Sequence, residues 1–399
     1  MLILQDRIDC FMRAAFVVIA LCNAAAAAPP DVPTTKSASG ADLVLERFKI
    51  SLDQDGAIVL PVKIGDVTHR FLLDSGASLC AIDLTLVAGA APVRCEKFDG
   101  AEVRLECYAM PEACVGTIRL HKMAPKAAGL DLTKLSEVSG YKVAGILGYD
   151  FFESQVLQID FDQGELRILK GVPANCGERI EVTYPKPRWP SVKLKVADGR
   201  TEEFLIDTGA TGFESGSLRA ELCDALRLDN NYRLVGESLS QTVQGTQRGR
   251  LIQGKQITLS SFATERPIFD SDSVNLLGLY YLSRYSVIFD LANHCLYLKR
   301  GKRFDQVDLV NRSGLHIARR DGQAVVHSVD RYSPAANSGI CADDVILRMS
   351  NMPGDKGSLY AMRRALCNSD ADVPIVLKRD QKEMKITLHL APSSPETSK

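Results

Sequence analysis

The sequence predicts a mostly β protein: a duplicated β lobe, whose two copies form a bilobal pseudo-dimer, followed by a smaller β/α domain. Three observations carry this. The string Phe71-Leu72-Leu73-Asp74-Ser75-Gly76-Ala77 returns with synonymous residues as Phe204-Leu205-Ile206-Asp207-Thr208-Gly209-Ala210. Each copy is followed, at nearly the same interval, by a hydrophobic-hydrophobic-Gly triplet, Ile146-Leu147-Gly148 and Leu276-Leu277-Gly278. Around them run short Val, Ile and Leu-rich segments broken by turn residues, the texture of strands rather than helices.

The 399 residues leave room for two or three cores. Residues 1–28 carry Arg13, an apolar run from Ala14 to Leu21 and the alanines Ala24 to Ala28 ahead of Pro29-Pro30, the layout of a cleaved signal peptide. Leu21 before Cys22 is too large for a lipid-attachment signal. The apolar run reaches bilayer-spanning length only when the alanines are counted, so a periplasmic or secreted chain without stable membrane insertion is expected. Residues 29–42, rich in Pro, Ser and Thr, read as a disordered linker.

The first lobe is placed at 43–170, with strands expected over Ala57 to Ile64, Arg70 to Leu73, Val103 to Cys107, Gly116 to Leu120 and Val156 to Phe161. Pro173, Pro185, Pro187 and Pro190 exclude a central strand or helix from 171–190, which reads as the inter-lobe linker. The second lobe, 191–300, repeats the texture, with a helix expected from Ser217 to Leu226. Beyond the triplet glycines the copies align without a gap, so Asp160 falls opposite Asp290; both are read as structural turn residues. Residues 310–391 form the third domain, with a helix over Leu359 to Leu366 and strands over Val373 to Lys378 and Lys385 to Leu390, leaving 392–399 as a polar tail.

One Asp-Ser-Gly or Asp-Thr-Gly is an ordinary strand-ending turn. Two copies in matched context and preserved order indicate a duplicated lobe that supplies two carboxylates. Two carboxylates held close cannot both ionise, so the pair retains one proton over a wide pH range and offers a general base and a general acid together. Asp74 and Asp207 are therefore the candidate catalytic residues. Gly76 and Gly209 support the turns by letting backbone N–H groups approach without a Cβ in the way.

Other chemistry finds no footing. A net charge of −1, with Lys and Arg scattered, argues against nucleic acid. There is no Cys-x-x-Cys and no His pair at ligand spacing, so neither metal nor cofactor is expected. Of eleven cysteines, Cys10 and Cys22 go with the signal; among the rest Cys107 with Cys114, Cys95 with Cys107, and Cys341 with Cys367 are plausible disulfides in an exported chain.

Over residues 45 to 300 the duplicated turns and triplets resemble the aspartic proteases of the pepsin and retropepsin clan. Ala77 and Ala210, where pepsins usually have Ser or Thr, make the likeness closer to a retropepsin pair fused in tandem, a monomer with an intrachain pseudo-dimer. The resemblance implies an endopeptidase acting on protein or peptide substrates, with the Ser75 and Thr208 hydroxyls bracing the turns across the lobe interface. It also implies a hairpin over the cleft, placed at Leu105 to Thr117 and Leu239 to Leu251, the latter with Gln244-Gly245-Thr246 at its tip.

The run Ser333-Pro334-Ala335-Ala336-Asn337-Ser338-Gly339-Ile340, followed by Asp343-Asp344-Val345-Ile346, resembles a PDZ domain. That implies capture of substrate or partner C-terminal peptides at Gly314, Leu315, His316 and Ile317, although His316 stands where a second Gly is usual. The alternative is an inactive pepsin-fold adaptor acting through the PDZ domain; the two intact Asp turns separate it from the protease reading.

Overall fold

The structure, a computed structural model, describes residues 43–94, 106–228, 232–242, 245–369 and 371–390. It is mostly β, with 46% strand against 15% helix. The expected signal, linker and C-terminal tail lie outside the described residues. Among those described, no helix is long and apolar enough to cross a membrane.

The first part of the chain supplies β1 (Val44–Lys49), β2 (Val59–Ile64), β3 (Val67–Leu73), β4 (Ala81–Asp83), β5 (Cys107–Ala109) and β6 (Ala113–Val115). It continues with β7 (Ile118–Arg119), β8 (Lys126–Leu130), β9 (Gly145–Leu147), β10 (Val156–Asp160), β11 (Glu165–Leu169) and β12 (Glu178–Glu181). The second part supplies β13 (Ser191–Lys195), β14 (Thr201–Ile206), β15 (Gly216–Arg219), β16 (Tyr232–Thr242), β17 (Gly245–Gly254) and β18 (Gln256–Leu259). After them come β19 (Phe262–Glu265), β20 (Ile268–Asp272), β21 (Leu276–Leu277), β22 (Tyr285–Asp290) and β23 (Cys295–Arg300).

The sequence duplication is a duplication of topology. One sheet has the order β5-β8-β4-β9-β3-β2-β6-β7, and the other β17-β20-β15-β21-β14-β13-β18-β19 with β16 added beyond β17. In each, the strand entering the Asp turn runs parallel to the triplet strand, β3 beside β9 and β14 beside β21. A third sheet, β1-β11-β10-β22-β23-β12, joins the lobes: β10 and β22 pair antiparallel, with Leu157 opposite Phe289. One hydrophobic core runs continuously from Phe71 and Leu147 to Phe204 and Leu277, because alternate residues of these strands face inward. Asp160 accepts from Gln163 N and Asp290 from Asn293 Nδ2, each at a strand end.

The remaining strands, β24 (Leu315–Arg320), β25 (Gln323–Val329), β26 (Val345–Met349), β27 (Met352–Pro353), β28 (Asp372–Arg379) and β29 (Lys382–His389), form a fourth sheet with β24 at its edge. Helices Pro334–Asn337 and Leu359–Ala365 accompany it. Its core, around Ile317, Ile346, Met362 and Leu377, is separate from the first.

Several expectations need correction. The helix expected at Ser217 begins at Ala220, because Gly216–Arg219 is drawn into the sheet between β20 and β21. The inter-lobe segment needs no correction on this point: its proline-free stretch forms β12 at the edge of the joining sheet, which the exclusion of a central strand allows. Leu105 to Thr117 is not a hairpin: β5 pairs with β8 and β6 with β2. The second-lobe hairpin is β16–β17, with Thr242 opposite Gly245; of the expected tip, Gly245 and Thr246 lie in β17 and Gln244 lies outside the described residues. Cys107 is disulfide-bonded, but Cys114, Cys341 and Cys367 are free thiols, so the Cys107–Cys114 and Cys341–Cys367 pairs are excluded. Cys95 lies outside the described residues.

Candidate active site

β3 and β14 end in the two Asp turns, and the turns meet face to face. Asp74 N–H donates to Leu147 O and Asp207 N–H to Leu277 O, each at 3.0 Å, so the triplet strand fixes where each carboxylate starts. Gly148 is sterically required, and Gly278 is tightly packed. A Cβ on Gly148 would lie 2.2 Å from Leu79 O, and one on Gly278 3.0 Å from Ala210 O, because the residue after each glycine, Tyr149 or Leu279, must donate to Ala77 O or Ala210 O.

Each carboxylate is held by its own turn. Asp74 Oδ1 accepts from Gly76 N at 2.9 Å and Ala77 N at 3.1 Å; Asp207 Oδ1 accepts from Gly209 N at 2.8 Å and Ala210 N at 3.2 Å. Gly76 and Gly209 also make room for the opposite lobe. A Cβ on Gly76 would lie 2.6 Å from Asp207 Cγ, and one on Gly209 2.4 Å from Asp74 Cγ. This interlobe clearance is a stronger reason for glycine than the approach of N–H groups.

The hydroxyls cross the interface reciprocally. Ser75 Oγ donates to Ile206 O at 2.6 Å and accepts from Thr208 N at 3.1 Å; Thr208 Oγ1 donates to Leu73 O at 2.8 Å and accepts from Ser75 N at 3.0 Å. All four partners are buried. Arg188, from the inter-lobe segment, adds a bond to Ser78 O at 3.2 Å and an ion pair with Asp150 at 2.6 Å.

Each carboxyl is seated against the other lobe's turn glycine, close enough for the two groups to shift each other's ionisation. Burial pushes the Asp207 carboxyl well above the usual carboxylate range, with the charge and hydrogen bond of Asp74 adding to it. Burial raises Asp74 as well, against the lowering effect of the Asp207 contact and of the Gly76 and Ala77 N–H groups. Two desolvated carboxyls in contact hold a proton between them.

Beside the dyad the lobes differ. Leu205 and Leu276 pack with Trp189, and Ala210 of the second Asp turn lies against them; this cluster opens into a pocket of about 500 Å³ bounded by Trp189, Leu205, Val274 and Arg219. The matching cluster of the first lobe, Ala81, Val143 and Ile146 with Leu72 and Ala77, is filled by Leu132, Leu135 and Tyr141 from the chain's own Thr133–Ser139 helix region.

Gly314, Leu315, His316 and Ile317 sit in the C-terminal unit, apart from the dyad. Gly314 has φ +65°, and a Cβ there would lie 2.3 Å from Ser333 Cβ. Leu315 and Ile317 are buried. His316 Nε2 contacts Asp330 Oδ2 at 3.0 Å, and Asp330 pairs with Arg248 of β17 at 2.9 Å.

Sequence reasoning misses a third acidic group. Glu214, behind the second Asp turn, has its carboxyl pushed up to about 7, first by burial and then by Asp270 and Asp308. Asp308 is itself paired with Arg284 at 2.6 Å, both side chains buried. No local pattern flags this cluster, since its members meet only in the fold.

No protein-family model matches the chain, and no curated protein matches it.

Proposed function

We propose that the chain is an exported aspartic endopeptidase in which Asp74 and Asp207 act as one catalytic unit. The observation that carries this is the contact between the two carboxyls at the ends of duplicated, mutually hydrogen-bonded turns. With one proton shared, the ionised carboxylate takes a proton from water as its oxygen forms a bond to the peptide carbon, and the protonated partner gives its proton to the carbonyl oxygen. Collapse of the tetrahedral adduct breaks the C–N bond: the amine leaves with the proton first taken from water, and one adduct hydroxyl returns its proton to the carboxylate that had protonated the carbonyl oxygen, which restores the pair. No metal or cofactor enters.

The matching strand orders of the two lobes and the sheet that joins them support reading residues 43–300 as a tandem retropepsin pair. The order of elements and the Ser333-Pro334 helix start support reading the C-terminal unit as a PDZ domain. A binding scaffold has no use for a desolvated carboxylate pair, which opposes folding at neutral pH.

The test is cleavage of a peptide library by the purified chain beside Asp74→Asn and Asp207→Asn. Each variant should lose about 10³-fold or more in kcat/KM while keeping its circular dichroism spectrum and cooperative unfolding. Cleavage that persists in either folded variant, free of other proteases, would overturn the assignment.

A further inference from the structure

β24 ends its sheet, so among the described residues one flank of its backbone has no strand beside it, and such an edge next to a helix ordinarily invites an extended peptide. In this chain the space is taken. The Thr133–Ser139 helix of the first lobe packs against both β24 and the Leu359–Ala365 helix. Arg363 Nη2 joins the three: it donates to Val138 O, in the last turn of the lobe helix, and to Ile317 O in β24, each at 2.7 Å. Leu359 fits over Gly140, which ends the lobe helix at φ +84°; a Cβ there would reach within 3.0 Å of the Leu359 side chain.

Further contacts close the same seam. Ser358 Oγ donates to Gln54 O at 2.6 Å, Arg364 pairs with Asp53 at 3.0 Å, and the Tyr360 ring covers Gly56. On its other side the lobe helix region packs, through Leu132, Leu135 and Tyr141, on the cluster that contains Ala77. Ala77 supplies one of the two N–H groups holding Asp74. A continuous path of contacts thus leads from Arg363 to the first Asp turn.

We propose that the groove between β24 and the Leu359–Ala365 helix is a socket for the chain's own Thr133–Ser139 helix, and that Arg363 is a positioning residue for the Asp74 side of the cleft. The C-terminal unit then acts as a clamp on the protease and not as a receptor for free peptide ends. It also accounts for the asymmetry beside the dyad: the wall held by the clamp is filled, and the wall without it opens into a pocket.

The inference rests on the protease reading for its kinetic arm and on exchange for its structural arm. In the full-length chain, Arg363→Ala should raise KM about tenfold while kcat stays within about twofold, because a displaced cleft wall weakens binding more than it alters the dyad. Arg363→Lys, which keeps a cationic donor, should restore most of the difference. Amide hydrogen exchange should accelerate over residues 130–147 in Arg363→Ala and remain unchanged in β13 and β14. Should Arg363→Ala fail to fold, Leu359→Ala, which trims the contact on Gly140, carries the same expectations. Fluorescein-labelled decapeptides with hydrophobic residues and a free carboxylate at their C-termini should not bind the wild-type chain. Unchanged KM together with unchanged exchange, or micromolar binding of those peptides by the wild type, would overturn the clamp. If the wild type cleaves no peptide, the protease reading fails, and the exchange measurement alone still decides the clamp.

Discussion

Glu214 shows what burial does to a single acid group in this fold. Its carboxyl, raised to about 7 by burial and by the neighbouring Asp270 and Asp308, has little freedom to recruit help. Asp308 Oδ1 is taken by Arg284, and Asp308 Oδ2 accepts from Ser215 N, Ser215 Oγ and Ile268 N. Because its pKa is higher in the folded chain than in the unfolded one, the native state binds the Glu214 proton more tightly. The associated stability is complete below the unfolded pKa of about 4.5 and is lost as pH rises through about 7. Glu214→Gln should therefore match the parent near pH 4 and exceed it at pH 8 by up to about 3 kcal/mol, measured by urea denaturation at both values. A variant no more stable than the parent at pH 8 would show that Glu214 ionises freely. At this scale the dyad is legible in the sequence and Glu214 is not. Asp74 and Asp207 repeat a local signature, whereas the acidity of Glu214 arises from residues brought to it by β20 and by the segment after β23.

Among the elements, the two Asp turns are locked by an exchange of hydroxyls that neither lobe could satisfy alone. Ser75→Ala leaves Thr208 N and Ile206 O without their partner, and Thr208→Ala does the same to Ser75 N and Leu73 O. Leaving buried backbone groups unsatisfied costs about 1–3 kcal/mol, so each variant should lose that much stability. The double variant should lose clearly less than the sum, since both changes loosen the same interface. Denaturation of the three variants measures this, and additivity within about 0.5 kcal/mol would mean that the turns are braced independently. Strand texture predicts β2 and β10 closely and the last four residues of β3, and the helix expected over Leu359 to Leu366 forms over Leu359–Ala365. It fails where pairing decides the outcome: Gly216–Arg219 becomes a strand only because β20 and β21 lie on either side of it. The first-lobe hairpin that the family resemblance implies likewise fails, because β5 pairs with β8 and β6 with β2.

At the scale of the whole molecule, the central sheet sets how the two turns confront each other. β10 and β22 pair across the lobe boundary, so the copies are related as halves of one body and the carboxylates meet near the line between them. The duplication makes this arrangement readable from the sequence, but the seating of the first lobe's helix in the C-terminal unit has no sequence signal, being a contact between segments that share no motif. On the proposed function, the pH dependence of catalysis would belong to the assembled pair. Ala77 and Ala210 offer the carboxylates backbone N–H groups but no side-chain hydroxyl, whereas a hydroxyl donor at these positions would favour the charged form and lower its pKa. Burial acts the other way and raises both groups, and the charge of Asp74 raises Asp207 further. The shared proton should therefore persist toward neutrality, and kcat/KM of the purified chain should follow a bell with its maximum in mildly acidic to neutral solution, the two limbs reporting the macroscopic ionisations of the pair. An optimum near about pH 2 that falls away before about pH 4 would mean that other donors stabilise the ionised dyad, and that the two alanines do not set its acidity.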